Sequence, residues 1–312
     1  MADTIVEQAP AAASGASDAK QEDDGRQRRR LGIFFWAPLA WLIILIASAV
    51  TADYWPLPEP DTMHFMLQAA PPGEVGEVEI GDRTVEDYTF VLGGDNMGRD
   101  IFTRLVYGAR VSLLVGLLAP MIGLVFGGTL GMLAGYYRGP VEAVVVALAD
   151  VIVAFPGLVL LIAITFFLGP TLPTVTVALG FLSVPYYTRV ARANTLTYAQ
   201  REFVLAARAM GASDLRILAR EIFPNVILAL LVYGLLVTAV LIVIEGVLSF
   251  LGLSVGPPTV SWGGMINEGR DYLEEAPHIS MIPAGIMFLT VLSFNLLGDT
   301  LRNLADPRES RL

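Results

Sequence analysis

The sequence predicts an all-α integral membrane protein with six transmembrane helices. Three features carry that prediction. The 312-residue chain is 54% hydrophobic and only 16% charged, against roughly 25% charged residues in a soluble domain, and its mean hydropathy is +0.62. Its charges leave several uncharged runs near or beyond the roughly 20 residues that a helix needs to cross the hydrocarbon. Its arginines concentrate in alternate loops, the pattern of a chain that crosses repeatedly.

Residues 1–28, rich in Ala, Ser and acids and without periodicity, read as a disordered cytoplasmic tail. No cleaved signal peptide is expected, because Arg26, Arg28, Arg29 and Arg30 come late and the apolar run after them is too long for a signal core. The first transmembrane helix falls within residues 29–50, where Leu31–Val50 is uncharged and ends before Asp53. Residues 51–110 form an extracytoplasmic loop. Its last part carries Arg99, Arg104 and Arg110, with Ile101, Phe102, Leu105 and Val106 at helical spacing. This reads as an amphipathic helix on the outer membrane surface, either an anchor or part of a landing platform for a binding protein.

Residues 111–299 supply the five-helix core. The second span is Val111–Tyr137. From Val151 to Thr188 there is no charge, a run too long for one crossing, and the "GPTLPT" stretch at Gly169–Thr174 divides it. That gives a third span near Val141–Leu168 and a fourth near Val175–Tyr187. The fifth lies within Ile222–Leu248 and the sixth within Ile279–Leu297, and residues 300–312 form a second cytoplasmic tail. With both termini cytoplasmic, fifteen of the basic residues fall inside and five outside (Arg83, Arg99, Arg104, Arg110 and Arg270). The two outer loops hold fifteen acids, which serve either solvation or docking of an external partner.

The cytoplasmic loop at 189–225 contains "REFVLAARAMGASDLRILAREIFPN" (Arg201–Asn225). Phe203, Ala206, Ala207 and Met210 recur at helical spacing, and Gly211 stands where a left-handed helix-ending glycine stands. Ser213 or Asp214 then caps a second helix with Leu215, Leu218 and Ile222 on its apolar side. The expectation is helix, sharp turn, helix. The pair either protrudes as a knob or lies on lipid headgroups.

"AARAMGASDLRILAREIFPN" resembles the cytoplasmic loop of ABC-importer permeases, with Ala206, Ala207, Gly211, Phe223 and Pro224 at matching positions. Leu205 and Glu221 depart from that pattern. Three further stretches narrow the resemblance: "LGGDNMGRDIFTRLVYGARVSLLVG" (Leu92–Gly116), "LSFLGLSVGPPTVSWGGMINEGRDYLEEAPH" (Leu248–His278) and "LTVLSFNLLGDTLRNLADPR" (Leu289–Arg308). Together they identify the chain as similar to the C-type permease subunit of dipeptide/oligopeptide/nickel ABC importers.

The resemblance implies a type I importer permease fold with cytoplasmic coupling helices, and a contact surface for the ATPase made by Ala206, Ala207, Gly211, Ala212, Ser213, Asp214, Phe223 and Pro224. It also implies a homologous second permease, two ATP-binding subunits, an extracytoplasmic binding protein and no nucleic acid. The one lysine, Lys20, is not in a G-x-x-x-x-G-K-[ST] setting, so no phosphate-cradling loop of that kind exists here. ATP and Mg are therefore expected in the partner subunits, with no cofactor and no catalysis in this chain.

Gly123, Gly127, Gly131 and Gly135 form overlapping G-x-x-x-G units, which suit close helix packing, with pore lining as the alternative. Asp150 and Glu245 fall within predicted spans. Such acids face protein or water and need a partner. Asp150 is a structural hydrogen-bonding group, a substrate contact or a proton relay, whereas Glu245, near the outer end of its span, is expected at the membrane interface. Three functional classes remain: an ABC-importer permease, a proton-coupled secondary transporter using Asp150, and an intramembrane enzyme, for which no metal motif or catalytic pair speaks. Peptide, nickel, glutathione and oligosaccharide importers share this permease type, and a di- or oligopeptide is the expected cargo.

Overall fold

A computed structural model describes residues 32–81 and 83–305. The predicted N-terminal tail and the last residues of the C-terminal one lie outside the described residues. Helix α1 (Ile33–Thr51) opens the described chain. After an irregular stretch comes an antiparallel two-stranded ribbon, β1 (Glu74–Ile80) and β2 (Arg83–Phe90). The all-α prediction omits this hairpin. Its strands are short, acidic and mostly exposed, so their alternation is weak, with Val78 and Phe90 the buried contacts under it.

Helix α2 (Ile101–Ile122) passes through a wide π turn at Gly123–Gly127 into α3 (Gly128–Tyr137). Asp100 caps it by accepting from Thr103 N at 2.9 Å. The predicted boundary at residue 110 is therefore corrected. Ile101 to Tyr137 is one 37-residue helix long and apolar enough to cross a membrane, with no separate surface helix before it. The residues expected to grip lipid are instead inside protein: Ile101, Leu105 and Val106 are buried, and so are Arg99 and Arg104. Arg99 reaches Asp95 Oδ2 and Glu268 Oε2 at 2.6 Å each, and Arg104 reaches Glu268 Oε2 at 2.8 Å. A carboxylate more than 160 residues away in sequence thus neutralises what looked like a headgroup-facing stripe.

A reversal at Arg138 and Gly139, both at positive φ, leads into α4 (Gly139–Ala154). Helix α5 (Gly157–Leu168) follows at an 80° bend. The bend has a local cause. Pro156 pushes Phe155 out of the helical region, to ψ 137, and removes a donor from the backbone ladder. At 1.5 Å per residue α4 and α5 are about 24 and 18 Å long, so only together do they match a bilayer core.

Helix α6 (Leu172–Tyr198) then runs for 27 residues, extending well past the predicted end of the fourth span. Its second half carries Arg189 and Arg192, and for that reason it falls outside the four helices, or five with the bent pair, that composition marks as membrane-crossing among the described residues. Much of its length is enclosed, although Arg189 stays exposed. Helices α2, α3, α4 and α5 and the later span α9 pack around it, and residues shielded by protein need not be apolar. The glycine ladder makes the closest of these contacts. Gly123 faces Ser183 and Tyr187, Gly127 faces the Val184 carbonyl and Gly131 the Thr188 carbonyl. A Cβ at Gly135 would lie 2.8 Å from the Arg192 carbonyl oxygen.

Past α6 come α7 (Glu202–Ala209) and the single turn α8 (Asp214–Ile217). A second π turn at Leu218–Ile222 then leads into α9 (Phe223–Phe250). Helix α10 (Trp262–Glu268) is a short wedge against α9 and α11, and α11 (His278–Ala305) closes the bundle against α9 and α1. It overruns the predicted tail boundary at 300 by five residues.

Candidate coupling loop and translocation face

The segment between α6 and α9 is tighter than the predicted 189–225 loop. Helix α6 ends at Tyr198, and from Asp214 onward the chain already belongs to a 37-residue helix reaching Phe250. What protrudes is 199–213. Helix α7 ends in a paired C-terminal lock around Gly211, which adopts φ +80. Gly211 N donates to Arg208 O at 3.0 Å and Ala212 N donates to Ala207 O at 3.1 Å, the two bonds of a left-handed glycine cap. Ser213 occupies the N-cap position in extended geometry, but no side-chain capping bond forms there, contrary to expectation. Asp214 instead accepts from Tyr136 Oη at 2.6 Å. Tyr136 Oη in turn accepts from Arg208 Nη2 at 3.3 Å, and the guanidinium lies over its ring. The end of α3 thus pins both sides of the turn.

The apolar pattern here also differs from the predicted faces. Val204, Ala207, Ile217, Leu218 and Ile222 are buried and hold the turn to the bundle. Phe203, Leu205, Met210 and Leu215 are exposed, Met210 at 82% and Leu215 at 76%. Ala206, Phe223 and Pro224 are exposed beside them. Pro224 does not interrupt the helix. The preceding π turn widens the ladder by one residue, which removes the donor demand and the clash that a proline brings. The second helix of the loop therefore runs on into the fifth span as one helix, Asp214 to Phe250.

Asp150 lies on α4 and receives a single hydrogen bond from Arg189 Nη2 of α6, at 2.8 Å on Oδ1. Arg192 Nε also donates to Glu142 at 2.8 Å, one helical turn nearer the end of α6. These two arginines were missed as partners because both acids lie about 40 to 50 positions earlier. A cleft of about 520 Å³ opens between these helices. The α4–α5 elbow (Ile152, Phe155, Pro156), α6 (Leu179, Ser183, Tyr186) and α9 (Tyr233, Val240) line it.

Glu245 is corrected from an interfacial group to a buried one, 1% exposed. It accepts from Ser249 Oγ at 2.7 Å and Ser254 Oγ at 3.2 Å, and Ser249 lies 3.0 Å from Ser261 Oγ. Ser261 also caps α10 by accepting from Gly264 N. Beside it Trp262 is fully buried and donates to the Leu105 carbonyl at 3.1 Å. Glu245 thus ties the connection that follows α9 back onto that helix, through the two serines that donate to its carboxyl group.

Comparison with known proteins places this architecture. Residues 127–311 match the family described as binding-protein-dependent transport system inner membrane component. The chain is 42% identical over 217 residues to the glutathione transport system permease protein GsiD of Pectobacterium atrosepticum, covering 70% of this chain and 72% of that one. It is 44% identical over the same length to the protein of that name from Escherichia coli O157:H7, with the same coverage. Among solved structures it resembles a chain of the MetNI methionine ABC transporter in inward facing conformations. The TM-score is 0.55 at 18% identity, over 66% of this chain and 98% of that one.

Proposed function

The chain belongs to the binding-protein-dependent transport system inner membrane components, as a permease subunit of the dipeptide/oligopeptide/nickel type of ABC importer, and from that premise we propose that it forms half of a translocation path for di- or oligopeptides. A binding protein delivers the cargo on the outer side, and a second, homologous permease supplies the other half. Two ATPase subunits drive the cycle through the turn around Gly211. Glutathione, named in the relatives, is itself a small peptide and falls within this class. The distribution of arginines supports a cytoplasmic location for both termini and for the turn.

The observation that carries the reading is the turn itself. It is conformationally locked, pinned to α3 by Tyr136, and yet leaves Phe203, Leu205, Met210 and Leu215 uncovered. Apolar side chains on a rigid protrusion mark a protein contact. From Asp214 the chain leaves this turn as one helical rod of 37 residues, α8, the π turn and α9, about 55 Å long. A push at Leu215, exposed within this rod, therefore reaches Tyr233 and Val240, which line the cleft. In this reading the chain transmits force and conducts cargo, and its partners hydrolyse the ATP.

The test is uptake of labelled peptide into proteoliposomes holding the full complex. ATP-dependent uptake that survives a protonophore supports the importer. Uptake that needs no ATPase subunit and collapses with the proton gradient supports a proton-coupled carrier at Asp150 and sinks the importer reading.

A further inference from the structure

Asp150 and Arg189 pose a problem that the importer reading alone does not solve. Their side chains are 57% and 52% exposed, on a face where Leu148, Val151 and Phe155 are exposed too. Arg189 stands nine residues before the end of α6, about 13 Å along the helix, so the pair is not in the terminal turn. An ion pair at that depth does not face acyl chains. Ionisable groups within spans turn to protein or to a water-filled path. Val153, one helical turn from Asp150, and Tyr186, one turn from Arg189, both line the cleft. The pair's bond is single, Nη2 to Oδ1. One carboxylate oxygen and most of the guanidinium N–H groups therefore remain for another partner.

Resting on the importer reading, we propose that Asp150 and Arg189 form a substrate-contacting site at the inner mouth of the path, selecting solutes that carry both a free ammonium and a free carboxylate. Asp150 takes the α-ammonium and Arg189 the α-carboxylate as the cargo inserts into their mutual bond. The apolar cleft of about 520 Å³ takes the side chains, a size within the usual range for small-molecule sites. The charge complementarity is specific to a zwitterion. A solute of one sign loses one partner, and a solute blocked at both ends gains nothing for breaking the pair.

The absence of cysteine permits a direct test. Val153, which lines the cleft, is replaced in Val153→Cys, and the assembled complex in inverted vesicles is exposed to a membrane-impermeant thiol reagent. The expected results are modification from the cytoplasmic side and slowing of that modification by Ala-Ala but not by its N-acetylated, amidated form. Asp150→Asn or Arg189→Gln in the same background is expected to weaken the protection by about tenfold, while Arg189→Lys retains most of it. An unreactive cysteine overturns the proposal by showing the face covered by lipid or by another chain. Equal protection by the blocked peptide, or protection indifferent to Asp150→Asn, also overturns it. ATP-driven peptide uptake by the parent complex in the same vesicles separates the two readings. Its absence sinks the importer assignment, and its presence with any of those outcomes sinks this site alone.

Discussion

Replacing Gly211 isolates the handedness of the turn from everything else in the loop. A Cβ at this position meets no atom within 4 Å, so bulk is not the obstacle. The obstacle is φ +80, a region that costs an L-residue roughly 1–2 kcal/mol, with β-branched side chains worst placed. Asn tolerates it best. The bonds from Gly211 N to Arg208 O and from Ala212 N to Ala207 O both depend on that conformation. The buried anchors Val204, Ile217 and Ile222 do not. A penalty of that size shifts the local equilibrium about 5–30-fold and leaves the bundle folded. In the complete complex, Gly211→Asn should transport close to the parent rate. Gly211→Ala should be intermediate, and Gly211→Val should lose ATP-driven uptake about 5–30-fold with helical content retained. The assay is peptide moved and ATP hydrolysed in the same proteoliposomes, with the co-purifying ATPase subunits quantified. Transport by Gly211→Val at the parent rate would refute the coupling role. Asn as damaging as Val would show that side-chain presence, rather than backbone hand, is what matters.

Three further outcomes are expected. Glu268→Gln removes the carboxylate shared by the buried Arg99 and Arg104 and should destabilise the outer cap by about 3 kcal/mol, read as faster hydrogen exchange in 93–106. Gly131→Val drives a branched side chain into the Thr188 carbonyl and Ala191 and should prevent recovery of folded protein, whereas Gly285→Ala, with open space around its position, should be neutral in yield and thermal stability. Burial lowers the pKa of His64, whose buried Nε2 has no hydrogen-bond partner. The neutral ring is therefore the folded form. Its contribution is complete above the unfolded value of about 6.5 and is lost as pH falls through the lower folded value. Exchange in 64–98 should thus accelerate on acidification, and His64→Gln should flatten that dependence.

The apolar runs made most of the spans legible, because crossing a bilayer demands a length that composition alone reveals. Legibility failed where protein replaced lipid as the surroundings. Arg189 and Arg192 made the second half of α6 look cytoplasmic, yet each pairs with an acid of α4, Asp150 and Glu142. Arg99 and Arg104 looked like surface anchors until Glu268 closed on them. Glu245 looked interfacial because its serine partners, Ser249 and Ser254, lie four and nine positions downstream at the irregular end of α9. Each is a long-range or irregular contact that no local spacing encodes. The turn at Gly211 was readable because its cause is local: one residue type tolerates the conformation that ends α7. That α9 continues through Pro224 was not readable, since the π turn that admits the proline leaves no sequence mark of its own.

The central claim is that the turn around Gly211 is the cytoplasmic contact with an ATPase, and a single cysteine at Ala212 tests it most directly. In native membranes carrying Ala212→Cys, the account predicts labelling by an impermeant thiol reagent from the cytoplasmic side only, and a short bifunctional crosslinker should join the residue to an ATP-binding subunit. Cytoplasmic labelling with no crosslink to such a subunit, or labelling from the outer side, would contradict it.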